Sequence, residues 1–289
     1  MAQRLPDWFK QRLPRAGEES NMDKLLDELS LHTICQSGHC PNTGKCYPKG
    51  AAFLILGNAC TRKCTFCAVD KAAPLPPDPE EPRHIVEAAR RLQLSYVFIT
   101  SVTRDDLPDG GAAHYARTIQ LIHQELPGVK VEVLVPDFNG DSQAIKTVLQ
   151  AGPVVMGHNV ETVPRLYPKV RPLASYRRSL DLLKKSKAYA PRIFTKSGIM
   201  LGMGETRDEV IAVMRDLRQV GCDLLTLGQY LAPSHLSYQV VRFPTPEEFA
   251  SYEPVGLEMG FKEVVSAPLM RSSFKADELY QKAIERQHH

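Results

Sequence analysis

The chain has 289 residues, 43% of them hydrophobic, with 36 Lys+Arg against 33 Asp+Glu. That length supports one large core, including a full or partial barrel, and the near balance of charge gives no reason to expect a nucleic-acid partner or an anionic membrane. No apolar run reaches the roughly 18 residues of a membrane helix, and residues 1–17 lack the apolar stretch of a signal peptide. The expectation is therefore a cytoplasmic protein with no membrane partner.

Residues 1–50 hold one amphipathic stretch, 21–31, followed by Gly, Pro, His and Cys in irregular order. From residue 51 the pattern changes. Continuous apolar runs at 52–56, 96–100, 129–135, 154–158, 195–201 and 224–227 predict strands. Helical periodicity follows each of them, near 81–94, 112–125, 142–150, 175–189, 207–220 and 246–259. Glu87 and Arg91 add an i,i+4 pair to the first helix, and a last helix is predicted over 276–287. Strands alternating with helices imply βαβ units and a parallel sheet. A cysteine loop, not a glycine fingerprint, follows the first strand. The predicted class is α/β: a partial (β/α)6 barrel of the TIM type over 51–260, with extensions at 1–50 and 261–289. Function is expected at the C-terminal ends of the strands.

Six of the seven cysteines fall in two triplets, Cys35-x4-Cys40-x5-Cys46 and Cys60-x3-Cys64-x2-Cys67. Cys222 stands apart at the start of an apolar run and reads as a small buried residue. Clustered thiols in a reducing compartment bind metal more often than they crosslink. Structural zinc wants four ligands, commonly two Cys-x2–4-Cys pairs, and the nearby His32, His39 and His84 lack paired spacing. Three thiolates instead hold three irons of a cubane cluster and leave the fourth open. Two triplets suggest two [4Fe–4S] clusters with different tasks.

The second triplet, with Phe66 before Cys67 and directly after the first strand, resembles the radical S-adenosylmethionine superfamily. The first triplet narrows the likeness to the lipoyl synthases. Further blocks in the same order carry it: 56–69 (LGNACTRKCTFCAV), 100–112 (TSVTRDDLPDGGA), 158–167 (HNVETVPRLY), 170–172 (VRP), 196–205 (KSGIMLGMGE) and 271–274 (RSSF).

The resemblance implies an enzyme that inserts two sulfur atoms, at C6 and C8, into an octanoyl group amide-linked to a lysine of a lipoyl carrier domain. It implies that Cys60, Cys64 and Cys67 hold the cluster that binds S-adenosyl-L-methionine. It likewise implies that Cys35, Cys40 and Cys46, with Ser273 as fourth ligand, hold an auxiliary cluster consumed as the sulfur source. A hydroxyl is a harder donor than thiolate and a poorer match for a cluster iron, which suits a site that must come apart. Without the resemblance, Ser272 or Ser273 would read as a helix cap. Implied partners are octanoylated carriers (2-oxoacid dehydrogenase E2 subunits and the glycine cleavage H protein), reduced ferredoxin or flavodoxin, and an iron–sulfur carrier that rebuilds the spent cluster.

By position, Thr100 and Ser101 are expected near the methionyl amine and Asn159 and Glu161 near the ribose. Lys196 is expected at the cofactor carboxylate, with Gly198, Gly202 and Gly204 allowing close backbone approach. Arg104, Asp105 and Asp106 are expected to orient substrate, and Arg271 to brace the serine loop. Nine of the residues from Lys169 to Lys196 are Lys or Arg, and Asp181 alone is acidic, so Lys184, Lys185 and Lys187 are expected to guide an acidic partner. Two positions depart from the family pattern: Asn58 stands where Asp is usual, and Phe274-Lys275 replaces Tyr-His or Tyr-Arg. The rival readings are a biotin synthase-like sulfur-inserting enzyme and a zinc-binding structural module.

Overall fold

Phe53, Leu54 and Ile55 have no polar neighbour in their run, and a strand of that kind is stable only with both faces covered. They become the interior of a parallel strand, each at most 2% exposed, and each such burial contributes about 2 kcal/mol. The computed structural model describes residues 4–10, 18–47 and 50–287. The leader reading at 1–17 rests partly on residues outside these. In chain order the strands are β1 (His32–Thr33), β2 (Ala52–Ile55), β3 (Tyr96–Ser101), β4 (Lys130–Leu134), β5 (Val155–Gly157), β6 (Phe194–Leu201), β7 (Leu224–Gln229) and β8 (Glu263–Ser266). The helices are α1 (Glu18–Glu28), α2 (Ile34–Ser37), α3 (Thr43–Cys46), α4 (Glu81–Arg91), α5 (Ala112–Glu125), α6 (Ser142–Gln150), α7 (Tyr167–Val170), α8 (Tyr176–Tyr189), α9 (Arg207–Gln219), α10 (Pro246–Ala250), α11 (Tyr252–Glu258) and α12 (Ala276–Gln287).

The strands lie in one sheet in the order β1 to β8, with β2 through β8 parallel and β1 antiparallel to β2. A doubly wound sheet reverses its order at a switch point; this one never does, which is the winding of a barrel. Among the described residues no pairing joins β8 back to β2, so the barrel stays open. The predicted partial barrel is therefore present, with five of its six predicted βα helices where the periodicity placed them.

Three features differ from the sequence reading. The segment after 260 opens as β8, a seventh parallel strand, so the C-terminal extension is continuous with the sheet. The leader is likewise joined to it, through β1. The predicted helix at 246–259 divides at Ser251 into α10 and α11. Pro254 is the cause, because it has no N–H to donate and its ring clashes with a carbonyl one turn earlier.

α12 covers the N-terminal end of the barrel. Leu279, Tyr280 and Ala283 pack on Val155, Phe194 and Leu224, the first turns of three strands, and the Tyr280 ring meets Phe194 edge-on at 5.8 Å. The C-terminal ends of the strands are left to the long loops.

Candidate active site and cysteine loops

The chain leaves β2 through a left-handed turn, with φ of 67° at Leu56 and 86° at Gly57. A non-glycine residue in that region needs fixing from outside. Leu56 is held at both ends of its backbone: its N–H donates to Glu81 Oε2 at 2.9 Å, and its carbonyl accepts from Arg104 at 3.2 Å. The Cys60 N–H then donates to the Asp70 carbonyl at 2.8 Å, closing the loop that carries Cys60, Cys64 and Cys67.

Arg62 anchors this loop. It is 5% exposed and donates to Asp105, Asp137 and Asn139, with the shortest contact 2.6 Å to Asp137 Oδ1. The guanidinium holds Asp137 down to a pKa of about 2, against the cost of its burial. The loop after β2 is thereby tied to the loops after β3 and β4. Thr65 adds ties to two more loops, its N–H donating to the Val170 carbonyl and its carbonyl accepting from the Tyr238 N–H. Cys60 Sγ accepts from the Arg62 and Thr103 N–H groups, both at 3.4 Å.

Cys35 sits on α2, Cys46 ends α3, and Cys40 lies between. Thr33 caps α2, accepting from the Gln36 N–H. β1 lays this segment along β2, and the Asn42 amide donates to the Leu269 carbonyl at 2.7 Å. That bond joins the leader to the segment after β8, the one that carries Arg271, Ser272 and Ser273. Ser273 is not a cap: α12 begins at Ala276, and the residue before it is Lys275.

These parts face one cavity of about 570 Å³. Cys35, Cys40, Cys60, Cys64, Cys67 and Ser273 all line it. So do Thr100, Ser101, Asn159, Glu161, Gly198 and Arg271, and also Arg171, to which the sequence reading gave no role. Leu54, Phe66, Phe98 and Leu134 give it an apolar wall. Arg171 Nε and Gln229 Oε1 are buried there without a protein partner, and a polar ligand would satisfy them. Glu161 carries a φ of 68°, and burial pushes its carboxyl above the usual range while the Arg171 charge opposes that shift.

Other expected residues are engaged elsewhere. Lys196 is absent from the cavity wall. It is buried in an ion pair with Glu132 at 2.7 Å and donates to the Ser272 carbonyl at 2.7 Å, so it supports the serine segment from below. Gly202 is also off the wall; its φ is 99°, and a Cβ there would stand 2.1 Å from Gln229 Nε2. Gly204, with a φ of 103°, is absent too. Gly198 makes room for protein atoms, since a Cβ would stand 2.8 Å from Asn159 Oδ1 and 2.9 Å from Ser272 Oγ. Asn159 donates to that same Ser272 hydroxyl at 2.9 Å. Asp105 is bound to Arg62, and Arg104 to Asp106 and Leu56, so these three brace the loops. On α8, Lys185 donates to the Gly140 carbonyl and Lys187 to Asp223, which leaves the expected docking face without two of its lysines. Cys222 is buried as expected.

The donor set fits iron–sulfur clusters. Cys35, Cys40, Cys60, Cys64 and Cys67 are free thiols. Burial pushes the Cys35 and Cys67 thiols up to about 11, and a bound cation favours their thiolate forms. Among the described residues no three His, Cys, Asp or Glu side chains close on a single ion. Structural zinc needs that convergence, whereas ligands to separate irons of a cluster stand farther apart.

Comparison with known proteins agrees with this donor set. Residues 54–217 match the radical SAM superfamily. The chain is 57% identical over 279 residues to the lipoyl synthase of Caldanaerobacter subterraneus subsp. tengcongensis, covering 96% of this chain and 97% of that one. It is 54% identical over 256 residues to the lipoyl synthase of Aquifex aeolicus, covering 88% and 93%. Among solved structures, the FeFe-hydrogenase maturase of Carboxydothermus hydrogenoformans aligns with a TM-score of 0.56 at 14% identity, over 79% of this chain and 64% of that one; a likeness so distant bears on the fold alone. The chain belongs to the lipoyl synthase family of the radical SAM superfamily.

Proposed function

We propose that this chain inserts two sulfur atoms, at C6 and C8, into an octanoyl group amide-linked to a lysine of a lipoyl carrier domain. As a radical SAM lipoyl synthase it uses S-adenosyl-L-methionine and two [4Fe–4S] clusters. In our reading Cys60, Cys64 and Cys67 hold the cluster that binds S-adenosyl-L-methionine. Cys35, Cys40, Cys46 and Ser273 hold the auxiliary cluster that gives up sulfur. The observation that carries this reading is the single cavity lined by five of the six thiols and by Ser273.

When bound, these groups supply a carbon-centred radical able to take hydrogen from an unactivated carbon, and the sulfide that takes its place. The protein's part is placement and exclusion of water. Arg62 fixes the first loop against two neighbours, so its thiols keep their spacing. Thr100 and Ser101 end β3, and Asn159 and Glu161 follow β5, which sets polar groups where a zwitterionic cofactor would lie. Arg171, buried, and Arg271, half-buried, bring positive charge to the same wall. Leu54, Phe98 and Leu134 offer an acyl chain a dry surface in the same cavity. Lys196 holds the backbone of Ser272, and so places Ser273.

The partners in this reading are octanoylated E2 subunits and the H protein, a reduced ferredoxin or flavodoxin, and an iron–sulfur carrier, all in the cytoplasm. No helix among the described residues is long and apolar enough to cross a membrane. Incubating the reduced, cluster-loaded protein with S-adenosyl-L-methionine and an octanoyl-lysyl peptide tests the reading. The expected product, as the cyclic disulfide, has gained two sulfurs and lost two hydrogens by mass spectrometry. A product desaturated or methylated, with no sulfur, would rule it out.

A further inference from the structure

The auxiliary triplet faces two chambers. Cys35 and Ser273 line the large cavity and also a second one of about 450 Å³, where Cys46 joins them. Cys60, Cys64 and Cys67 line only the first. The second cavity lies toward the N-terminal ends of β2 and β3, walled by Ala51, Ser95 and Tyr96 and by the start of α12. Its remaining wall includes the exposed residues Lys45, Gln93, Ser95 and Asp277, so it opens to solvent. Cys35 and Ser273 therefore stand where the two cavities meet, with Cys40 on the side of the strands' C-terminal ends and Cys46 on the side nearer their N-terminal ends.

We propose that the second cavity is a separate entrance to the auxiliary site, through which a preassembled [4Fe–4S] unit carried on exchangeable thiolates reaches Cys35 and Cys46. The inference rests on the function proposed above. A cluster spent as a sulfur source must be replaced for every product, while the first cavity is the place of cofactor and acyl chain. Two chambers meeting at one triplet separate those traffics. Each exchange breaks one iron–sulfur bond to a carrier thiolate and forms one to a cysteine Sγ. The cysteine's proton passes to the departing thiolate. No electron moves, so no oxidant is needed.

The test uses the full chain with Cys60, Cys64 and Cys67 replaced by Ala, so that any cluster taken up is auxiliary. The probe is a synthetic [4Fe–4S] cluster ligated by simple thiolates, added without oxygen, with uptake read from charge-transfer absorbance and bound iron. Ser95→Trp and Gln93→Trp each put an indole at the second mouth. Both residues are exposed, and Ser95→Ala controls for the fold. Each plug is expected to slow uptake about tenfold, with final iron still about four per chain. Pro233→Trp, on the wall of the first cavity, is expected to leave uptake unchanged. Unaltered uptake in both plugged chains, or slowing by Pro233→Trp instead, overturns the proposal. A chain that takes up no cluster even without plugs overturns the auxiliary-site assignment itself, and that outcome is distinct from unobstructed uptake.

Discussion

His158 shows how a single buried group couples the site to pH. Its Nδ1 lies 2.8 Å from the Val135 carbonyl, which can only accept, so Nδ1 carries the proton. Nε2 then accepts from the Ser179 hydroxyl at 2.9 Å. Burial is the main cause that lowers the ring's pKa to about 4; Arg171 and Arg62 add to the fall, and Asp137 opposes it. The unfolded chain, at about 6.5, takes up the proton first. The contribution of His158 to stability is therefore complete above about pH 6.5 and is lost as pH drops toward 4. Chemical unfolding should show a stability loss of about 1.4 kcal/mol between pH 7.5 and 5.5 from this group. His158→Gln should flatten that slope; an unchanged slope would show that the ring does not titrate this way. The residues legible from sequence were those whose chemistry is written locally, above all the two cysteine triplets. Arg62 was not, because its partner Asp137 lies 75 residues away and nothing in either neighbourhood announces the other. The bond of Lys196 to the Ser272 carbonyl was not legible for the same reason, since it spans 76 residues.

At the level of elements, the segment after β8 depends on β7. Gly228 lies on β7 under the chain at Met270, and a Cβ there would stand 2.1 Å from the Met270 carbonyl oxygen. The obstacle is backbone, so the segment itself must move, and with it Arg271 and Ser273. Gly228→Ala is expected to keep the first cluster and lose the auxiliary one, so that iron falls from about eight to about four per chain. A Gly228→Ala protein that retains about eight irons would show that the serine segment tolerates displacement. The strands and helices of the barrel were readable because apolar runs of four to eight residues alternate with helical periodicity. β1 and β8 were not. His32–Thr33 is too short for any period, and Glu263–Ser266 has only Val264 and Val265 as apolar residues. Both form because an existing sheet edge offers unpaired backbone groups.

Across the whole molecule, both extensions become part of the barrel. The leader enters through β1 and the Asn42–Leu269 bond, and the C-terminal segment through β8 and α12. There Cys35 and Cys40 share a cavity with Ser273, more than two hundred residues on, and with Cys60, Cys64 and Cys67. The fold brings the two extensions together through an antiparallel edge strand on one side and an extra parallel strand on the other. The central claim is a division of labour, with one triplet for radical generation and the other for sulfur supply. Replacing Cys35, Cys40 and Cys46 together by Ala tests it most directly, with S-adenosyl-L-methionine cleavage and sulfur incorporation measured on the same sample. The account predicts that cleavage continues with about four irons per chain and that no sulfur enters the octanoyl peptide. Sulfur insertion by that protein at the unmodified rate would contradict it.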